Sequence, residues 1–293
     1  MLYASKFSDP NTADTHKQSE WRIVERKSQK VVLQVTRSYY LTYYRVPRLV
    51  LSTNTAYACQ VRYFDNQGLA SEWSLPTTFT TRGSNNNARS SALSTEEQSG
   101  DVPTDLNANA LPDTQEAETI KSVLAYDGQH AMAVSIETTG EVVSLDGVVA
   151  VDPNNEDQRP TVKDIGPYGL LSYRIQVPQS GQEAAVTLHF SDPIDPQAAW
   201  ISQTADGEWR DCTPEVFPQA DGHSALRILT DGGENDADGV ANGTIIDMVA
   251  PREARATDAQ AEDTTPAAAA SSNSGGGSNS PLSGSCFIQS LLK

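Results

Sequence analysis

Two stretches of this chain carry oxygen-bearing side chains at alternate positions, the pattern by which a short loop wraps a hard cation. Counting from Asp105, the first, third, fifth, ninth and twelfth residues are Asp105, Asn107, Asn109, Asp113 and Glu116, and the seventh offers the Leu111 carbonyl. Calcium takes six to eight oxygen ligands, and loops of this length supply them from those positions. Ala110 stands sixth, where glycine would ease the sharp turn. The second stretch counts from Glu234 through Asp236, Asp238, the Val240 carbonyl and Asn242, with Gly239 sixth. Its twelfth residue, Ile245, has no oxygen to offer, so Asp231 or Asp247 would have to close the shell. The expected chemistry is cation capture, with calcium as the cofactor. The competing reading is a pair of acidic turns with solvated carboxylates.

Signatures of catalysis are absent. The sequence has no HExxH helix, no GxSxG elbow and no phosphate-binding glycine loop. Asp192 and Asp195, the one obvious carboxylate pair outside the loops, sit in Asp-Pro steps that read as turns. His16, His130, His189 and His223 lack partners at ligand spacing, and strand parity turns His189 away from the core. Trp200 and Trp209 are candidates for stacking on a carbohydrate should either ring be exposed. The chain reads as no enzyme.

The elements that must hold these loops are strands. Residues 17–82 are a succession of β-branched and aromatic runs broken by turn residues. In Tyr57–Tyr63 the alternation puts Tyr57, Cys59, Val61 and Tyr63 on one face, with Gln60 and Arg62 on the other. The strand pattern returns from Thr119 to Pro251, where Val186, Leu188 and Phe190 share a face. Polar, low-complexity sequence fills 83–104 and 253–293. The expected class is all-β: two sandwiches, a disordered linker and a disordered C-terminal tail. The expected boundaries are 1–82, a linker over 83–104, a calcium-type loop over 105–118, a sandwich over 119–252 and the tail over 253–293.

Charge divides along the same lines. Residues 1–82 hold 11 Lys/Arg against 6 Asp/Glu, whereas the whole chain carries a net charge of -17. Such an acidic chain repels phosphate backbones, which argues against nucleic acid as a partner. No apolar run reaches the roughly 20 residues needed to span a bilayer. The first residues lack a charged-then-apolar leader, so an export signal is expected upstream of this chain. Three widely spaced cysteines, Cys59, Cys212 and Cys286, form no metal or redox pair.

Several motifs carry resemblances. Leu51-Ser-Thr-Asn-Thr-Ala-Tyr57 is similar to the tyrosine corner of sandwich domains. With CQVRYFDNQGLASEWS and TTFTT after it, residues 1–82 resemble a fibronectin type III domain whose first strand is missing, with Trp21 as its core tryptophan. Ser71-Glu72-Trp73-Ser74 resembles half of the tryptophan–serine box of cytokine-receptor modules, which implies a structural stack of Arg62 on Trp73. DLNANALPDTQE is similar to thrombospondin type 3 and dockerin calcium loops. GPYGLLSYRIQVPQSGQEAAVTLHFSDPID, GEWRDCT and LTDGGENDADGVANGTIID together resemble the choice-of-anchor U domain of bacterial surface proteins, over about residues 102–251. SGSCFI resembles the Cys-Phe-Ile box at the C-termini of exported bacterial proteins, which makes Cys286 the expected sorting residue. These resemblances imply a calcium-binding display or adhesion module at the cell surface or outside the cell. Its expected partners are an extracellular protein or carbohydrate and a C-terminal sorting or anchoring machinery. The alternative is an accessory region of a secreted polysaccharide- or protein-degrading enzyme with its catalytic domain upstream.

Overall fold

A computed structural model describes residues 1–11, 13–82, 105–137, 142, 144–155, 165–252 and 286–287. The expected linker over 83–104 and the expected tail, apart from residues 286–287, lie outside the described residues. The first unit builds β1 (Leu2–Ala4), β2 (His16–Glu25), β3 (Val31–Arg37), β4 (Tyr43–Tyr44), β5 (Ala56–Asp65) and β6 (Thr77–Thr80). β3-β2-β5-β6 form one antiparallel sheet, and the short β1–β4 pair covers it. In β5 the alternation is realised: Tyr57, Cys59, Val61 and Tyr63 are buried, and Gln60 and Arg62 are only partly so.

Trp21, fully buried on β2, stacks on Tyr44 with ring centroids 6.2 Å apart. The Tyr57 hydroxyl accepts from the Ser52 N–H at 2.9 Å and so ties the crossing that enters β5. Downstream of β5, Ser71 and Ser74 act as surrogate strand partners. Their hydroxyls accept from the Tyr63 and Val61 N–H groups at 3.0 Å each, and their own N–H groups donate back to the same residues. Side-chain oxygens thus satisfy a buried edge that no regular strand covers.

The second unit is a sandwich of two five-stranded antiparallel sheets. It comprises β7 (Ile120–Leu124), β8 (Ala131–Ser135), β9 (Ser144–Val151), β10 (Leu170–Gln176), β11 (Glu183–Phe190), β12 (Ala199–Gln203), β13 (Trp209–Asp211), β14 (Val216–Pro218), β15 (Ser224–Thr230) and β16 (Thr244–Arg252). The sheets run β13-β12-β16-β10-β9 and β14-β15-β11-β8-β7. Their inner faces close over Val134, Leu171, Tyr173, Val186, Leu188, Phe190, Trp200 and Ile245. Beside β1 the backbone of β17 (Cys286–Phe287) pairs antiparallel.

β16 is buried on both faces. Ile245 and Val249 point into the sandwich, Met248 and Ala250 form a cluster on the outer face, and Ile246 joins the core of the first unit. A strand covered twice reads as a continuous apolar run, as TIIDMVA does. The two units meet over this strand and the loop before it. Tyr44 and Tyr39 hydroxyls donate to the Ala205 and Asp206 carbonyls, and Arg174 Nη1 donates to the Leu49 carbonyl at 3.0 Å.

Candidate functional site

The loop between β15 and β16 folds inward. Asp231, Asp236 and Asp238 are 2%, 0% and 1% exposed. Asp231 accepts from the Gly181, Asn242 and Gly243 N–H groups. Asp236 accepts from the N–H groups of Gly232 and Ile246 at 2.8 and 3.1 Å. Asp238 accepts from the Val240 N–H and from the Asn242 side-chain amide at 3.0 Å. Among the described residues no cationic side chain pairs with any of the three. Burial pushes the Asp236 carboxyl up to about 7, with Asp231 adding to the shift. Burial and the Asp236 charge push Asp238 up to about 9. Without a counter-ion side chain, the buried Asp236 and Asp238 carboxyls favour a proton or a cation.

Gly239 takes φ +68° here, and the reason is external as well as local. A Cβ at this position would meet the Gln34 carbonyl of β3 at 2.7 Å and Ala205 Cβ at 2.9 Å. The Gln34 N–H donates to the Asp238 carbonyl, and Asn242 Nδ2 reaches the Val31 carbonyl. The loop is therefore both the most acidic buried element and a seam between the two units.

Two expected ligands lie elsewhere. Glu234 points outward, its side chain 84% exposed and 3.8 Å from Arg210 Nη1. Asp247 shares inward parity with Ile245 and Val249, so it enters the sandwich core. There it accepts from the Tyr173 hydroxyl at 2.8 Å and pairs with Arg227 Nε at 3.2 Å. Arg227 comes from the opposite sheet, on the face of Ala225 and Leu229, and is fully buried. Its Nη1 donates to Glu215, which also accepts from Asn235 Nδ2 and pairs with Arg210. Burial raises the Glu215 carboxyl, but the hydrogen bonds from Arg210, Arg227 and Asn235 outweigh it and hold it at about 2. This ionic network anchors Asn235, and with it the acidic loop, to the sandwich. SALRILT does show Arg227 on the apolar face, a signal that the cation-loop reading passed over.

In the Asp105–Glu116 stretch the predicted ligands bond mainly within the loop and to β7. Asp105 accepts from the N–H groups of Asn109 and Ala110, and the Asn109 side-chain amide donates to both Glu116 oxygens at 2.9 and 2.8 Å. Asp113, 5% exposed, accepts from the Leu106 N–H and the Ser122 hydroxyl. The Leu111 N–H donates to the Asn109 carbonyl oxygen of the side chain at 2.8 Å. Ala110 adopts φ +73° and Ala108 φ +55°, so the backbone takes the sharp turn even without glycine.

One group of three carboxylates escaped sequence reasoning. Asp9, Asp14 and Asp65 each bring an oxygen within 4.8 Å of the others. The Asp65 carboxylate accepts from the Gln67 and Leu69 N–H groups, an Asx-type turn that accounts for its burial. Residues 9, 14 and 65 are too far apart in sequence for spacing to reveal the group.

Two guanidinium groups lie over the Trp73 ring. Arg62 Cζ lies 4.7 Å and Arg22 Cζ 4.2 Å from the ring centroid, and Glu20 pairs with Arg62 at 2.5 Å. The histidines differ from expectation, because each has a partner. His189 is buried and meets the Ser135 hydroxyl at 2.8 Å, on an outer sheet face also approached by Asp113. His130 sits between Asp127 and Asp192, while His16 meets Ser19 and His223 meets the Phe190 carbonyl. Trp200 is 1% exposed and belongs to the core, which excludes it from carbohydrate contact; Trp209 packs partly buried against the outer-face cluster. Cys59 and Cys212 are buried, and burial pushes the Cys212 thiol up to about 12. Of Cys286 only the backbone is described.

No protein-family model matches this chain, and no curated protein does. Among solved structures the chain is similar to an α-L-rhamnosidase from Dictyoglumus thermophilum, at 10% identity and a TM-score of 0.21. That match covers 83% of this chain and 22% of the rhamnosidase. No helix among the described residues is long and apolar enough to cross a membrane.

Proposed function

We propose that the chain is a non-catalytic, calcium-binding adhesion or display module of an exported bacterial protein, working outside the cell or at its surface. The carrying observation is the burial of Asp231, Asp236 and Asp238 in one loop with no cationic side chain paired to them. A divalent ion there removes the mutual repulsion and replaces the protons that burial otherwise retains. The Asp105–Glu116 loop is the second site on this reading, with the Asn109 side-chain amide already against the Glu116 carboxylate. Support for surface display comes from the resemblance of residues 1–82 to fibronectin type III domains and of about 102–251 to choice-of-anchor U domains.

Calorimetric titration of the whole chain with calcium tests the reading. Binding is expected, together with a calcium-dependent rise in melting temperature. At a hundredfold excess over Kd the gain is about 2.7 kcal/mol. Asp236→Ala with Asp238→Ala should remove most of that rise. No heat of binding and superimposable melts in calcium and chelator would overturn the proposal.

A further inference from the structure

In the three-stranded sheet of the first unit β1 is the central strand, with β4 on one side and β17 on the other. On the β4 side Leu2 stands opposite Tyr44 and Tyr3 opposite Tyr43, and the Ala4 N–H donates to the Thr42 carbonyl at 2.8 Å. Backbone groups alternate in direction along a strand, so the N–H and carbonyl of Tyr3 turn to the opposite edge. That is where β17 pairs, with Tyr3 opposite Phe287 and Ala4 opposite Cys286. The Tyr3–Phe287 pair is therefore the one that exchanges main-chain hydrogen bonds.

The edge is set in advance of its occupant. Leu2 and Ala4 are buried and belong to the core of the first unit with Trp21 and Tyr44. Beyond β1 the Ser5 carbonyl accepts from the Tyr63 hydroxyl at 2.5 Å. Phe7 packs on His16 and Tyr63, with ring centroids 5.0 and 6.1 Å away. β2, β4 and β5 thus hold β1 in place without help from β17. A fixed strand with an uncovered edge is a template for a further strand. The C-terminal sequence offers one where β17 forms. Between residues 253 and 293, Phe287 is the sole aromatic and Ile288 the sole aliphatic β-branched residue, in a stretch rich in Ser, Gly and Ala.

We propose that β17 is an intramolecular latch: the first unit captures the C-terminal segment of its own chain by strand addition to β1, and any machinery that takes this segment must first displace it. Main-chain hydrogen bonds provide such capture with little demand on side chains, as when extended peptides join exposed sheet edges. Two paired residues bind weakly from solution. Tethering makes the event intramolecular, at an effective concentration on the order of millimolar. A latch of this strength holds at rest and yields to a competing partner. The pairing depends neither on calcium nor on the sorting reading of Cys286; only its consequence for retention at the surface rests on that reading.

Hydrogen exchange at single amides of the whole chain, followed by NMR, tests the latch. The Tyr3 amide should exchange at least about tenfold more slowly in the parent than in Phe287→Pro, because proline removes the donor to the Tyr3 carbonyl. The Ala4 amide, bonded to Thr42, should stay equally protected in both, which shows that the first unit remains folded. Cys286→Ser should leave Tyr3 protected, since the pairing runs through the backbone, whatever that variant does to sorting. Equal Tyr3 exchange in the parent and Phe287→Pro overturns the inference. So does Tyr3 protection that fades on dilution, which would place the added strand on a second copy. A spin label at residue 290, introduced by Ser290→Cys in Cys286→Ser, should broaden the Tyr3 amide; no broadening overturns the inference without recourse to the proline variant.

Discussion

In the absence of calcium, the loop before β16 should make this protein less stable as pH rises. Ordinary unfolded aspartates release their protons near pH 3.9. In the folded chain burial holds Asp236 up to about 7, and burial with the Asp236 charge holds Asp238 up to about 9. The native state therefore binds more protons than the unfolded state between those limits. Stability is fully present below the unfolded value and is lost as pH climbs through the folded ones. One proton retained over about three pH units corresponds to about 4 kcal/mol, at 1.36 kcal/mol per unit. Urea melts in chelator should thus show a midpoint well below the pH 5 value by pH 8. Saturating calcium should erase most of the difference, because the cation takes over the role of the protons. Asp236→Asn with Asp238→Asn should flatten the slope in chelator, which assigns the slope to this loop. Coincident chelated melts at pH 5 and pH 8, or an unchanged slope in the double variant, would refute the argument.

Three further outcomes are expected. Gly239→Ala should loosen the junction, since its Cβ would meet the Gln34 carbonyl at 2.7 Å in a left-handed backbone; melting should broaden or split in calorimetry as the units uncouple. Asp247→Ala leaves Arg227 paired with Glu215 but unpairs its Nε and the buried Tyr173 hydroxyl, and should cost about 1–3 kcal/mol in denaturant titration, more than a surface substitution. Arg62→Ala and Trp73→Ala should couple by about 0.5–1 kcal/mol in a double-mutant cycle, with Arg22 retaining part of the stack in the Arg62 variant.

Local pattern carried a good deal of the fold. Alternation in β5 and β11 marked buried faces that the structure fills with Tyr57, Cys59, Val61, Tyr63, Val186, Leu188 and Phe190. What alternation cannot report is whether the opposite face is covered. Parity places His189 outward, and it is outward, yet it is buried there against the Ser135 hydroxyl and within reach of the Asp113 charge. Asp247 illustrates the same limit from the other side. Its nearness to the acidic loop in sequence suggested a ligand, but strand parity carries it into the sandwich, where only tertiary pairing supplies Arg227.

Ala110 joins the local and the tertiary arguments. A loop that lacks glycine at its sharpest turn could straighten and abandon the cation geometry. Instead Ala110 holds φ +73° while its N–H and that of Asn109 donate to Asp105. A left-handed alanine costs about 1–2 kcal/mol. The surroundings must supply that energy, and the Asp113 contacts to Leu106 and to Ser122 on β7 clamp the loop from below. Ala110→Gly relieves the strain but enlarges the freedom of the unfolded chain, so its gain in stability should be less than the full strain. Calcium affinity, by contrast, should rise only if the strained turn opens when the cation leaves. Titration of Ala110→Gly beside the parent chain reads the difference directly: tighter binding means that the ion closes the turn, and equal binding means that the Asp113 clamp already does.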